Sequence, residues 1–129
     1  MTEDQIKEEL IGLYAELAAL TAKGCAAKGG CRGGGEAGAC CEPDYCRVAA
    51  ERAKKWGVEV GEPPFNANGP CVVPPHLRPL CAIHQCEIAS IAWMNGLSTG
   101  ENERYFAMRG WTNELEWALL KLEDHGQPA

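Results

Sequence analysis

Eight cysteines hold most of the chemical potential of this chain: Cys25, Cys31, Cys40, Cys41, Cys46, Cys71, Cys81 and Cys86. Five fall within 22 residues, and three more lie within 16 residues after a proline-rich connector. A metal ion or cluster needs three or four thiolates converging on it, at about 2.3 Å for zinc. A disulfide framework instead needs an oxidising compartment. A nucleophilic thiol needs a depressed pKa beside a base or a helix N-terminus. Neighbouring Cys40 and Cys41 project in different directions, so both chelate one ion only through an unusual turn. They can still bind two irons of one cluster, or one can ligate while the other packs. Cys41–Cys46 and Cys81–Cys86 repeat a C-x4-C spacing, slightly over one helical turn. His76 and His84 lie near Cys81 in sequence and have ligating nitrogens, whereas His125 belongs to an expected frayed tail.

Compartment separates these chemistries. The opening "MTEDQIKEELIGLYAELAAL" has acids where a secretory signal needs cations, and no stretch approaches the length of a membrane span. The expectation is a cytoplasmic protein with no membrane association. Its thiols then stay reduced, which favours metal binding over disulfides, although the even count of eight keeps a disulfide framework as an alternative. A formal net charge of −6 argues against a nucleic-acid-binding surface. The charge is uneven: residues 1–20 carry five acids and one lysine, while residues 22–56 carry seven Lys or Arg against four acids. Cations among the cysteines would offset thiolate charge. Arg47, Arg52, Lys54 and Lys55 are read more simply as the wet face of a helix.

Other chemistries find little support. Gly33, Gly35 and Gly38 form a G-x-G-x-x-G with no preceding strand, so a dinucleotide site is not expected. Cys46 and His84 are the only candidates for thiol catalysis, and nothing outlines a nucleophile, base and oxyanion site around them. An enzyme is therefore not the favoured reading.

The elements that must position the cysteines are mainly α-helical. Ile6, Leu10, Leu13, Leu17 and Leu20 form one helical seam, with a Thr2–Gln5 capping box at its start and a stop at Lys23-Gly24. Seven glycines between Gly24 and Gly38 make residues 24–41 irregular, a segment that costs much entropy unless something fixes it. Pro43 suits the first turn of a second helix running to about Trp56 and ending at Gly57. At most one short strand is expected, at Val58–Val60. A third helix is expected over Leu80–Met94, stopped by Asn95-Gly96. A fourth opens after Ser98 on a capping box with Glu101, with a seam of Met108, Trp111, Leu115, Ala118 and Leu122 and a possible bend at Gly110. The expectation is a small single domain, 1–129, of about four helices. It comprises an N-terminal helix (1–23), a metal-stapled cysteine-cluster region (24–86) and a C-terminal helix (98–123).

Gly38, Cys40 and Cys41, followed by Cys71, Arg78, Pro79 and Cys81, resemble the CxxCxxCC cysteine-cluster family (YkgJ-like proteins), regarded as zinc- or iron-chelating. The resemblance covers residues 25–86. A glycine-rich insertion between Cys31 and Cys40 departs from the family's closely spaced early cysteines and leaves open which of Cys25 and Cys31 takes the leading ligand position. The resemblance implies Cys40, Cys41, Cys71 and Cys81 as metal ligands, with Cys31, Cys46 and Cys86 next as cofactor-binding residues. The implied cofactor is an iron–sulfur cluster, 4Fe–4S first, with zinc as the alternative. The expected function is an accessory or structural interaction module that meets a protein partner, or a second copy, through its terminal helices. An electron-transfer component is the other reading. Trp93, Trp111 and Trp117 are available to an interface, with a core position expected for at least two of them.

Overall fold

Helix α1 (Glu3–Ala27) opens on the expected capping box. The Thr2 N–H donates to Gln5 Oε1 at 2.8 Å and the Gln5 N–H to Thr2 Oγ1 at 3.2 Å. Helix α4 (Thr99–Gly126) opens the same way. The Ser98 N–H donates to Glu101 Oε1 at 3.0 Å and the Glu101 N–H to Ser98 Oγ at 3.2 Å. Each box satisfies two otherwise orphaned groups and contributes about 1 kcal/mol. The computed structural model describes residues 1–27, 43–62, 73–83, 88–90, 93–94 and 97–126. Between the long helices lie α2 (Pro43–Lys55), a 3-10 turn (Pro75–Leu77), α3 (Pro79–Ile83), and an antiparallel hairpin of β1 (Ile88–Ser90) and β2 (Trp93–Met94). The chain is mainly helical, as its patterning indicates.

The main core lies between α1 and α4. Ile6, Leu10, Tyr14 and Leu17 of α1 meet Tyr105, Met108, Leu115 and Leu119 of α4, with Ala82 and Leu97 completing the cluster. A second, smaller cluster joins Ala49 and Ala53 of α2 to Val73 and Leu77. Polar residues sit inside the main core because each finds a carbonyl. Thr21 Oγ1 donates to the oxygens of Ala18 and Ala82 at 3.0 and 3.1 Å. Asn102 Nδ2 donates to those of Leu97 and Ser98 at 3.2 and 3.0 Å. Thr112 Oγ1 donates to the Arg109 oxygen at 2.8 Å.

Several boundaries differ from the sequence reading. Helix α1 does not stop at Gly24 but continues to Ala27. One interior glycine costs only about 1 kcal/mol, and the following alanines are strong helix formers. Residues 24–27 are therefore helical; the rest of the expected irregular segment lies outside the described residues. The expected Leu80–Met94 helix ends at Ile83, and Ile88–Ser90 pairs with Trp93–Met94 instead, with Ile88 opposite Met94. β-Branched and aromatic residues around that stretch favour extended pairing over helix. Asn95-Gly96 lies outside the described residues. Val58–Val60 forms no strand. The α2 terminus is as expected. Gly57, at φ +71°, occupies the left-handed position of a Schellman turn, with Val58 N–H to the Ala53 oxygen at 2.8 Å and Gly57 N–H to the Lys54 oxygen at 3.2 Å. Helix α4 runs unbroken through Gly110.

The seam of α4 also shifts. Trp111 and Leu122 are each 40 % exposed and Trp117 60 %, so neither Trp111 nor Trp117 holds the expected core position. The buried stripe is Asn102, Tyr105, Met108, Thr112, Leu115 and Leu119. Trp111 flanks it, with Nε1 directed at Glu9 Oε1, 3.4 Å away.

Arg52 departs most from expectation. It is no part of a wet helix face, and its side chain is only 13 % exposed. Its Nη1 donates to both oxygens of Glu116 at 2.8 Å, and its Nε to the His76 carbonyl at 2.9 Å. Tyr14 Oη donates to Glu116 Oε2 at 2.9 Å, while the guanidinium lies 4.4 Å from the Trp56 ring centroid. Glu116→Ala leaves that cation largely desolvated and unpaired, and is expected to lower the unfolding free energy by about 3 kcal/mol. Arg104→Ala, which removes an exposed pair with Glu16, is expected to cost less than about 1 kcal/mol. Urea denaturation of the three proteins checks the contrast, and equal losses would refute it.

Candidate metal centre

Of the helices that contain cysteines, α1 and α3 are joined directly. Thr21 bonds the carbonyl of Ala82, the residue after Cys81. Helix α1 runs on through Cys25 to Ala27, and the Thr21 bond joins it to α3, which contains Cys81. Cys46, in the second turn of α2, is half-buried and its thiol is free. It packs on the cluster that contains Val73 and Leu77. Val73 follows Cys71 by two residues in the sequence; Cys71 itself lies outside the described residues.

Residues 73–83 form a tight unit. Pro75 presets the first turn; the Leu77 N–H bonds the Pro74 oxygen at 3.0 Å and the Arg78 N–H the Pro75 oxygen at 3.1 Å. Arg78 Nε reaches back to the Val73 carbonyl at 2.7 Å. Ala82 N–H continues the path to the Arg78 oxygen at 3.0 Å. Leu77, fully buried, pins this unit to the core. The stretch Val73–Arg78 is thus closed on itself by the Arg78 side chain.

His76 belongs to the same unit. Its ring sits 5.6 Å from that of Trp56, tilted by 35°. Burial, and then the nearby Arg52 charge, hold its pKa below the ordinary value, so it is a neutral imidazole at neutral pH. That form has an unprotonated nitrogen able to ligate.

Of the residues read as ligands or cofactor-binding, Cys46 is described with its side chain and Cys81 by its backbone. Cys31, Cys40, Cys41, Cys71 and Cys86 lie outside the described residues, as does His84. Among the described side chains, no three of His, Cys, Asp or Glu converge as a metal site. Cysteine and imidazole are the ligand types that zinc and iron–sulfur centres use, and the sequence holds eight cysteines. Sequence reading missed the supports: Thr21, Arg52 and the clamp made by Arg78. Only Thr21 left a signal, being a polar residue four positions after Leu17 on the helical seam.

The far end of α1 is tied by Lys23, whose Nζ bonds the two Glu101 oxygens at 2.9 and 2.7 Å. That bond, with the Ser98 backbone N–H, holds the Glu101 pKa down to about 2 from an ordinary 4.5. A depressed carboxylate stabilises the fold fully above its unfolded pKa and loses that contribution as pH falls through the folded value. The advantage of the natural protein over Glu101→Gln should therefore be constant above 4.5 and shrink towards about 2. Thermal unfolding across that acid range checks it; a constant difference throughout would count against the assignment. No protein-family model, curated protein or solved structure matches this chain.

Proposed function

We propose that this protein is a cysteine-ligated metal-binding module, of the kind its likeness to the CxxCxxCC family implies, that carries an iron–sulfur cluster and serves an assembly or partner protein. The observation that supports this reading is the Thr21–Ala82 bond, which joins α1 to the cysteine-bearing helix α3, together with the packing of Cys46 of α2 against Val73 and Leu77. Cys40, Cys41, Cys71 and Cys81 are the proposed ligands, with Cys31, Cys46 and Cys86 as further cofactor-binding residues. A 4Fe–4S cluster accepts four such thiolates, and so does structural zinc, the alternative occupant. Bound, the group supplies a covalent staple and, if it contains iron, an electron-accepting centre.

The chain's own part is to hold the ligand-bearing segments and exclude competing contacts. The α1–α4 core carries Ala82 of α3, and Arg52 ties α2 to α4 and to the 3-10 turn. A cytoplasmic location agrees with reduced thiols; among the described residues no helix is long and apolar enough to cross a membrane. An interaction role is favoured over a self-sufficient enzyme by what covers the helices. Large apolar side chains stay exposed on α4, at Trp111, Trp117, Leu120 and Leu122. An electron carrier remains the second reading, favoured if the centre titrates reversibly.

Anaerobically purified protein should show the visible absorption of an iron–sulfur cluster, with iron and sulfide assayed in the same sample. Cys40→Ser, Cys71→Ser and Cys81→Ser should each release metal and lower the melting temperature together, because metal bound only by the folded state stabilises it. Unchanged metal content in all three variants would overturn the ligand assignment, and zinc in place of iron would select the structural alternative.

A further inference from the structure

The outer face of α4 holds a second pattern, separate from the core stripe. Ala107, Trp111, Glu114, Ala118 and Lys121 recur at spacings of four, three, four and three, the period of a coiled-coil seam. All but the half-buried Ala118 are exposed. Trp117 and Leu122 flank this seam, 60 % and 40 % exposed. Beside it runs an open groove of about 450 Å³ whose lining includes Met1, Trp111, Ala118 and Leu122 together with Glu114 and Lys121. So much apolar surface on one helix face marks a contact surface.

The charges identify the partner. Among the described residues, Glu114 and Lys121 take part in none of the ion pairs that tie the helices together. They stand seven residues apart on the same face, with Trp117 and Ala118 midway between them. An antiparallel copy of α4 placed on a two-fold axis at that midpoint sets Glu114 against Lys121 of the other copy, twice. It also sets Trp117 against the small Ala118. A parallel pairing would instead oppose Glu114 to Glu114 and Lys121 to Lys121, which repel. The pattern is self-complementary in the antiparallel sense alone, as an isologous interface requires.

We propose that the occupant of this face is a second copy of the chain, docked α4 to α4, antiparallel, about an axis at Trp117–Ala118. This deepens the docking role proposed above by naming its partner, and no cysteine lies on α4, so association and metal content can fail independently. One helix face buries less than a standard interface, so a dissociation constant on the order of 10 µM is expected.

Sedimentation equilibrium of the full chain over a concentration series, with metal assayed on each sample, tests it. Glu114→Lys alone and Lys121→Glu alone should each weaken dimerisation at least about tenfold, since each creates like-charge contacts. Mixing these two variants should restore association as a heterodimer, and Glu114→Lys with Lys121→Glu in one chain should restore the homodimer. Trp117→Ala provides an independent loss, with helicity followed by circular dichroism. A natural protein that stays monomeric well above that concentration overturns the proposal. Charge variants that dimerise unchanged, or a mixture that stays monomeric, overturn it equally. Dimerisation intact in protein that has lost its metal leaves this interface standing and counts against the metal reading alone.

Discussion

A single carboxylate organises the packing of this protein. Glu116, on α4, accepts from Tyr14 of α1 and from Arg52 of α2, while Arg52 also holds the carbonyl of His76 in the 3-10 turn. Four elements thereby meet at one charged node. Burial, and then the charge of Glu116, push the Tyr14 phenol well above its ordinary pKa, so it remains a donor at any physiological pH. The node matters because α2 has so little else. Among its described side chains the fully buried ones are Ala49 and Ala53, which are small and remove little apolar surface from water. Apolar burial decides that α1 and α4 associate; the ion pair decides where α2 lies on them. Replacing both members of such a pair by apolar groups can leave net stability unchanged, whereas removing one strands a buried charge.

That division explains which parts of the fold were legible in the sequence. Caps and terminators are local chemistry, so the Thr2–Gln5 and Ser98–Glu101 boxes and the Gly57 turn could be read directly. The core seam was legible where it was aliphatic, as at Ile6, Leu10 and Leu17, and hidden where it was polar. Thr21, Asn102 and Thr112 are buried because carbonyls happen to lie within reach, and that depends on tertiary packing rather than periodicity. Arg52 was misread for the same reason: a charged residue on a short basic helix looks solvated until its partner, 64 residues away, is known. The helix expected over Leu80–Met94 was overruled by Ile88–Ser90 pairing with Trp93–Met94, a choice that short apolar runs leave open. For the candidate site, the thiol count and spacing were visible, while the Arg78–Val73 clamp and the Thr21–Ala82 joint were not.

The scaffold and the cysteines divide the labour along the chain. Aromatic and aliphatic burial is concentrated in the first and last helices, whereas the thiols are concentrated between them. Where the two meet, hydrogen bonds to the backbone carbonyls of Val73, His76 and Ala82 add to the packing of Val73, Leu77 and Ala82. Such bonds fix backbone position while leaving neighbouring side chains free for other duties, which suits segments whose side chains are wanted as ligands.

The pairing of Tyr14 with Glu116 spans 102 residues of chain. During synthesis, α1 leaves the ribosome long before α4 exists. At about 5–20 residues per second it waits several seconds or more for its partner. Throughout that interval its apolar stripe has no native surface to cover, and the intervening cysteines are all made before the core can close. Long-range closure of this kind slows folding relative to a bundle of sequential hairpins. The order of synthesis thus gives the thiols a period of exposure ahead of the closure of the α1–α4 core.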